Sequence, residues 1–135
     1  MKFLTLAGRE QSVKNQTKYL IDWGGKSLSK FQARVKANIR PIWSADLVFE
    51  EFPVLGTRMT LDFYNHWKKI AIEVDGDQHL RYNKHFHGGN RMNFLKQLSR
   101  DDDKEKYCEV NGIKMIRIYP NDDISTETLK KLINE

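Results

Sequence analysis

Residues 68–89, KKIAIEVDGDQHLRYNKHFHGG, begin as an apolar strand and end in acids, amides and imidazoles. Side chains of a strand alternate between its two faces, so Ile72 and Val74 point to one side while Glu73 and Asp75 share the other. Carboxylates that converge at a strand end repel one another unless a cation or a substrate lies between them. This strand end is therefore a candidate functional site.

A third carboxylate belongs to the preceding strand candidate, RMTLDFYN. One side of that strand is predicted to carry the apolar set Met59, Leu61 and Phe63. If the apolar sets of the two strands share a face, Asp62 joins Glu73 and Asp75 on the other. Mg²⁺ takes oxygen ligands and commonly lies between one or two carboxylates and a phosphate, where it activates water. We therefore expect Asp62, Glu73 and Asp75 to bind Mg²⁺, with Mn²⁺ as a substitute.

His79 follows just beyond the strand end, after the turn at Gly76, and can act as a general base or as the acid for a leaving group. A lone histidine of this kind is more often a hydrogen-bonded loop residue, and Asp62 alone would be a strand-end carboxylate paired with a lysine. The joint pattern favours a functional site, because each buried unpaired carboxylate costs several kcal/mol.

A zinc site is the alternative metal centre. Its ligands would be His79, His85, His87 and Cys108. No CxxC motif accompanies these residues, which makes zinc the weaker interpretation. The loop histidines are better suited to contact phosphates together with neighbouring cations.

Positive charge is concentrated in the first 43 residues, which hold nine Lys or Arg and two acids in a chain of net charge +5. A polyanion would bind there first, although a solvated face is the ordinary alternative. The candidate nucleic-acid contacts are Lys26, Lys30, Arg34, Lys36 and Arg40 in this part, and Arg81, Lys84, His85, His87 and Arg91 in the loop.

Size and composition fit one globular domain of 135 residues with 39% hydrophobic residues. A single cysteine indicates a reducing compartment, so we expect a cytoplasmic protein. No apolar run is long enough for a signal peptide or a membrane span. The segment GGKS is not a phosphate-binding loop, since Leu20 stands where that motif requires its first glycine.

The order of elements predicts an α/β fold with a mixed four- or five-stranded sheet flanked by helices. A short strand and a short helix precede a helix over residues 28–39, capped by Ser27 or Ser29 and ended by Pro41. Three strands should form an antiparallel meander. A long helix with Tyr107 and Val110 on its inner side and a stop at Gly112 should then lead to a last strand parallel to the third or a neighbour. A C-terminal helix begins at Ser125 or Thr126.

The acidic motifs together resemble the PD-(D/E)xK nuclease superfamily, in the branch related to the very-short-patch-repair endonuclease, which includes homing endonucleases with an EDxHD site. LDF supplies Asp62, EVDGDQH supplies Glu73, Asp75 and His79, and SRDDDKEKYCEVNG supplies Arg100 and Asp101. The similarity extends over about residues 27–120, with residues 1–26 as a basic extension and 121–135 as a C-terminal helix. It implies a restriction-endonuclease-like fold and metal-dependent hydrolysis of DNA.

The resemblance also implies roles for individual residues. Asp62 is the principal metal ligand, Glu73 or Asp75 assists, His79 is the acid or base, and Asp101 belongs to the site. The lysine of the parent motif is replaced by Asp75, so Lys104, His79 or a metal-bound water must take its role. The acid of the first helix appears as Gln32, which adds no charge.

The sequence thus leads to the expectation of a Mg²⁺-dependent DNA endonuclease, such as a phage or mobile-element nuclease of the homing type, acting in a bacterial or phage-infected cell. A junction-resolving or mismatch-repair nuclease, favouring branched or mismatched DNA, is the alternative among enzymes. A catalytically inactive nucleic-acid-binding module is the alternative that is not an enzyme. Double-strand cleavage would require a homodimer or two successive nicks.

Overall fold

The computed structural model describes residues 1–74, 99 and 102–135. The helical residues 102–110 are called α2 below. In chain order the elements are β1 (Lys2–Leu4), β2 (Glu10–Ser12), a 3-10 turn (Gln16–Tyr19), α1 (Lys30–Trp43), β3 (Val48–Pro53), β4 (Thr60–Asn65), β5 (Ile70–Val74), α2, β6 (Lys114–Ile118) and α3 (Thr126–Asn134).

The main sheet has the strand order β3-β4-β5-β6. The first three strands are antiparallel neighbours, and β6 lies parallel to β5, with Glu73 opposite Arg117. Both the predicted meander and the predicted parallel last strand are confirmed. The described part of the chain is therefore α/β, with a mixed four-stranded sheet and three α-helices.

The N-terminal residues differ from the prediction. The strand at Lys2–Leu4 pairs with a second strand, Glu10–Ser12, that the sequence did not reveal, and only a 3-10 turn forms where a helix was expected. The reason is that β2 is exposed and carries no apolar alternation to mark it.

Helix α1 begins where the sequence predicts, since Ser29 Oγ accepts the N–H of Gln32 at 3.0 Å. The sequence predicted that α1 ends before Pro41. The helix instead continues through Pro41 to Trp43. The missing N–H of Pro41 would have served the carbonyl of Ala37, which is on the exposed side of the helix, and the buried Trp43 favours the extra turn.

The end of α2 is a Schellman motif around Gly112, which has a φ of 68°. The N–H of Ile113 donates to the carbonyl of Cys108 at 2.8 Å, and that of Gly112 donates to Glu109 at 3.2 Å. The predicted stop at Gly112 is confirmed. The predicted inward position of Val110 is wrong, because its side chain is 51% exposed.

Each face of the sheet has its own core. Helices α1 and α3 cover one face, where Ile39, Trp43 and Leu129 pack on Ile70 and Ile72. The β1–β2 hairpin and α2 cover the other. Its buried members include Phe3, Phe49, Phe52, Leu61, Tyr64, Ala71 and Tyr107. None of the helices in the described ranges is long and apolar enough to cross a membrane.

Candidate functional site

Two carboxylates replace the backbone ladder where the pairing of β4 and β5 ends. The last paired residues are Phe63 and Ile72, and the next step would bring Asp62 opposite Glu73. There the N–H of Asp62 donates to Glu73 Oε1 at 3.0 Å, and the N–H of Val74 donates to Asp62 Oδ2 at 2.7 Å. Asp62 and Glu73 therefore lie side by side.

Glu73 is the most deeply buried acid of this site, with 2% of its surface exposed. Burial and the nearby charge of Asp62 raise the pKa of Glu73 to about 8, although Lys104 opposes the shift. The Lys104 ammonium lies 2.9 Å from Glu73 Oε2. Desolvation thus outweighs the ion pair, and a further cation would favour the ionised carboxylate.

Glu51 is a third acid of the site that the sequence interpretation missed. It faces Asp62 across the β3–β4 ladder, between the pairs Glu50–Phe63 and Phe52–Leu61. Burial and the charge of Asp62 raise the pKa of Glu51 to about 7, even though Thr60 Oγ1 donates to Glu51 Oε2 at 3.2 Å. The signal that could have found it is the pair of glutamates in VFEEFP, because alternation directs one of the two toward each face of a buried strand.

The backbone of Glu51 has a φ of 53°, in the left-handed region that residues with a branched or long side chain rarely occupy. This left-handed residue interrupts the alternation of β3, so the side chains of Phe49 and Phe52 lie in the same core although they are three residues apart. Across the ladder Leu61 lies in that core while Phe63 lies in the other. The predicted apolar face shared by Leu61 and Phe63 is therefore wrong, and the change of face occurs at Asp62.

Glu50 is the centre of a polar cluster beneath α1. Its Oε2 accepts from Gln32 Nε2 at 2.9 Å and from Ser27 Oγ at 2.7 Å, and its Oε1 lies 2.9 Å from Lys36 Nζ. Lys36 is 3% exposed. The prediction that Lys36 contacts nucleic acid is therefore wrong, because its ammonium is enclosed with Glu50. The amide of Gln32 is likewise engaged by a carboxylate of β3.

The other residues predicted to bind nucleic acid or to form the active site fall into two groups. Four N-terminal residues predicted to bind nucleic acid are exposed: Lys26, Lys30, Arg34 and Arg40. Nine predicted residues lie outside the described part of the chain: Asp75, His79, Arg81, Lys84, His85, His87, Arg91, Arg100 and Asp101. Cys108, the proposed thiolate of a zinc site, is buried in the core, and burial raises its pKa to about 12.

The donor chemistry of Glu51, Asp62 and Glu73 fits a hard divalent cation. These acids offer carboxylate oxygens. Burial and the charge of Asp62 raise the pKa of both Glu51 and Glu73, and a bound cation would offset this cost of ionisation. Among residues 1–74, 99 and 102–135, no group of three or more His, Cys, Asp or Glu is arranged to hold a metal ion unaided. Asp75, the next predicted ligand, lies outside these ranges.

Comparisons with known proteins identify viral relatives. The chain is 41% identical over 66 residues to the uncharacterized protein 094L of Frog virus 3, covering 49% of this chain and 43% of the relative. It is 30% identical over 78 residues to protein 033L of Invertebrate iridescent virus 3, covering 58% and 40%, and 33% identical over 75 residues to protein 307L of Invertebrate iridescent virus 6, covering 55% and 38%. The matches thus span about two-fifths of the length of these relatives. No protein-family model and no solved structure matches the chain.

Proposed function

We propose that the chain is a divalent-metal-dependent DNA endonuclease with a restriction-endonuclease-like fold. The observation that carries the proposal is the pair Asp62 and Glu73, held together at the point where β4 and β5 stop pairing. The mixed sheet supports the fold assignment, since a mixed sheet flanked by helices is what the resemblance to PD-(D/E)xK nucleases implies.

Asp62 and Glu73 would hold the cation, with Asp75 as a further ligand. When bound there, Mg²⁺ activates water and stabilises charge on the phosphodiester. Lys104 supplies the positive charge that the parent motif places in its third position, because its ammonium contacts the Glu73 carboxylate from α2. His79 and Asp101 keep the acid–base and supporting roles that the resemblance implies, and Gln32 holds Glu50 beneath α1.

The exposed basic residues of α1 and of the segment that precedes it are the proposed contact with the DNA backbone. They are Lys26, Lys30, Arg34 and Arg40. Their charges would bind phosphates without reading the sequence. The similarity to viral proteins supports a role for the enzyme in infected cells. Cleavage of both strands would require a homodimer or two successive nicks.

Cleavage assays on three substrates test the proposal. Supercoiled plasmid, a mismatched duplex and a four-way junction are incubated with the protein in Mg²⁺ and, in parallel, in EDTA. We expect cleavage only with Mg²⁺, and Asp62→Asn and Glu73→Gln should each lower its rate about 100-fold or more. Both variants keep an oxygen for the backbone N–H that each carboxylate accepts.

Glu109→Gln is the matched control, since it removes the charge of an exposed acid on α2. It should cut at the wild-type rate. Preference for the junction or the mismatch would assign the enzyme to the repair class. Binding of all three substrates with no cleavage under any divalent metal would instead establish a nucleic-acid-binding module.

A further inference from the structure

A tryptophan side chain lies in solvent at the turn between β4 and β5, at the opposite end of these strands from the carboxylates. Trp67 is 66% exposed, whereas Trp43 is fully buried. Asn65, the last residue of β4, is three strand steps from Asp62, on the order of 10 Å, and Trp67 lies beyond it in the turn. This ring is therefore not part of the carboxylate site.

The turn that carries Trp67 is firmly held. The buried side chain of Asn65 accepts the N–H of Lys68 at 3.0 Å and donates to Asp46 Oδ2 at 2.9 Å. At the end of the turn, the carbonyl of Lys69 accepts the N–H of Lys114 at 2.8 Å. The exposure of Trp67 is thus imposed by an ordered turn, and the backbone that carries the ring has little entropy left to lose on binding.

The residues that follow Trp67 are cationic. Lys68 and Lys69 are both exposed, and the Lys68 ammonium lies 3.8 Å from Asp46 Oδ2. The Lys69 ammonium lies 6.0 Å from the centre of the Phe3 ring. Two exposed lysines that follow an exposed tryptophan in the same turn complement a ligand that combines phosphate with a π-face. One ring offers too little apolar area to hold the protein on a lipid surface.

We propose that Trp67, Lys68 and Lys69 form a binding site for an unpaired base of a nucleic acid. The indole stacks on the base, and the two ammonium groups contact the flanking phosphates. This site is independent of the carboxylates, so it can hold single-stranded or locally opened nucleic acid whether or not the chain cleaves it.

Fluorescence and anisotropy in EDTA test this site without any metal-dependent step. Fluorescein-labelled 12-nucleotide oligo(dT), oligo(rU) and a blunt DNA duplex are titrated with protein to obtain affinities, and tryptophan emission is followed with the unlabelled oligonucleotides. We expect at least one single strand to quench the emission and to bind more tightly than the duplex at equal nucleotide concentration. The two oligonucleotides distinguish a DNA from an RNA ligand.

Variants assign the contact to Trp67. Trp67→Ala should bind the preferred single strand about 10-fold more weakly, while Trp67→Phe should retain most of the affinity and lose the quenching. Val110→Ala, which truncates another exposed apolar side chain, is the control and should bind like the wild type. Thermal melts of each variant establish that it is folded.

Equal affinity of Trp67→Ala and wild type for both single strands would overturn the proposal, as would equal quenching by the duplex. Quenching by phosphatidylserine vesicles in the absence of quenching by either oligonucleotide would also overturn it and would assign the ring to a membrane surface. Because the assay contains EDTA, a failure here leaves the cleavage proposal untouched, and a failure to cleave leaves this site untouched.

Discussion

The N–H of Asp62 donates to the carboxylate of Glu73, and the carboxylate of Asp62 accepts the N–H that follows Glu73 in β5. Two side chains thus take the place of two backbone groups in the ladder. Both carboxylates are positioned by the sheet before any cation binds, which lowers the cost of ordering ligands around it. The same geometry buries carboxylates beside one another, so the arrangement that favours cation binding destabilises the metal-free protein when these groups ionise.

The stability of the metal-free protein should fall as pH rises from about 5 to about 8. The pKa of Glu73 is raised from 4.5 to about 8, so between these values the folded state binds a proton that the unfolded chain has lost. Ionisation then favours unfolding, and Glu51, with its pKa raised to about 7, acts in the same direction. Thermal melts in EDTA across this range measure the effect.

Glu73→Gln should reduce this pH dependence, because the amide does not ionise in this range, and the part due to Glu51 should remain. Mg²⁺ should raise the Tm of the wild type more at pH 8 than at pH 5, since it competes with the proton. A wild-type Tm that is constant or rises over this interval would show that Glu73 ionises normally. Glu109→Gln provides the control slope.

Breaking the Lys104–Glu73 ion pair should be costly and pH-dependent. Lys104→Met leaves the buried carboxylate of Glu73 without its cation, and we expect a loss of about 1 kcal/mol at pH 9 in urea unfolding, because protonation of Glu73, whose pKa is about 8, limits the cost. At pH 5, where Glu73 is protonated, the loss should be smaller. The double variant with Glu73→Gln should lose less than the sum of the two single changes, and strict additivity would contradict the coupling.

Glu51 should contribute to activity at the expense of stability. Asn occupies left-handed backbone more readily than Glu and carries no charge, so Glu51→Asn should raise the free energy of unfolding at pH 8 by about 1 kcal/mol. The same variant should cut more slowly in Mg²⁺. Glu51→Ala removes the carboxylate without easing the backbone, and the difference between the two variants isolates the strain. Full activity in both would exclude Glu51 from the site.

Two lysines of α1 should behave in opposite ways. Lys36→Met leaves Glu50 almost enclosed and without its cation, so we expect a loss of about 3 kcal/mol in stability. Lys30→Ala changes an exposed residue and should leave stability within about 0.5 kcal/mol, while reducing the salt dependence of DNA binding by about one unit of slope. Equal effects of both changes on binding, with neither affecting stability, would contradict the assignment.

Much of the sheet could be predicted from the sequence because local patterns determine it. The alternation of Ile72, Glu73 and Val74 fixed the faces of β5, and the helix between β5 and β6 required a parallel connection. The position of Lys36 was also readable in principle. It lies at helical spacing from Gln32 and Ile39, inside the buried stripe, and was misjudged because lysine is usually exposed.

Other features depend on contacts that no local pattern encodes. The left-handed backbone at Glu51 is stabilised by the strands around it, and the break in alternation that places Phe49 and Phe52 in one core does not follow from a period of two. The β1–β2 hairpin forms because Phe3 packs on Phe52 and Tyr64 from distant strands. Tertiary packing, and not strand propensity, determines these elements.

Calorimetric titration of the folded protein with Mn²⁺ and with Mg²⁺ tests most directly whether Asp62 and Glu73 share a cation. The wild type should bind Mn²⁺ with protons released at pH 7, because Glu73 must ionise. Asp62→Asn and Glu73→Gln, confirmed as folded, should each lose this binding, whereas Glu109→Gln should retain it. Unchanged Mn²⁺ affinity in both site variants would contradict the shared metal site and the nuclease proposal that rests on it.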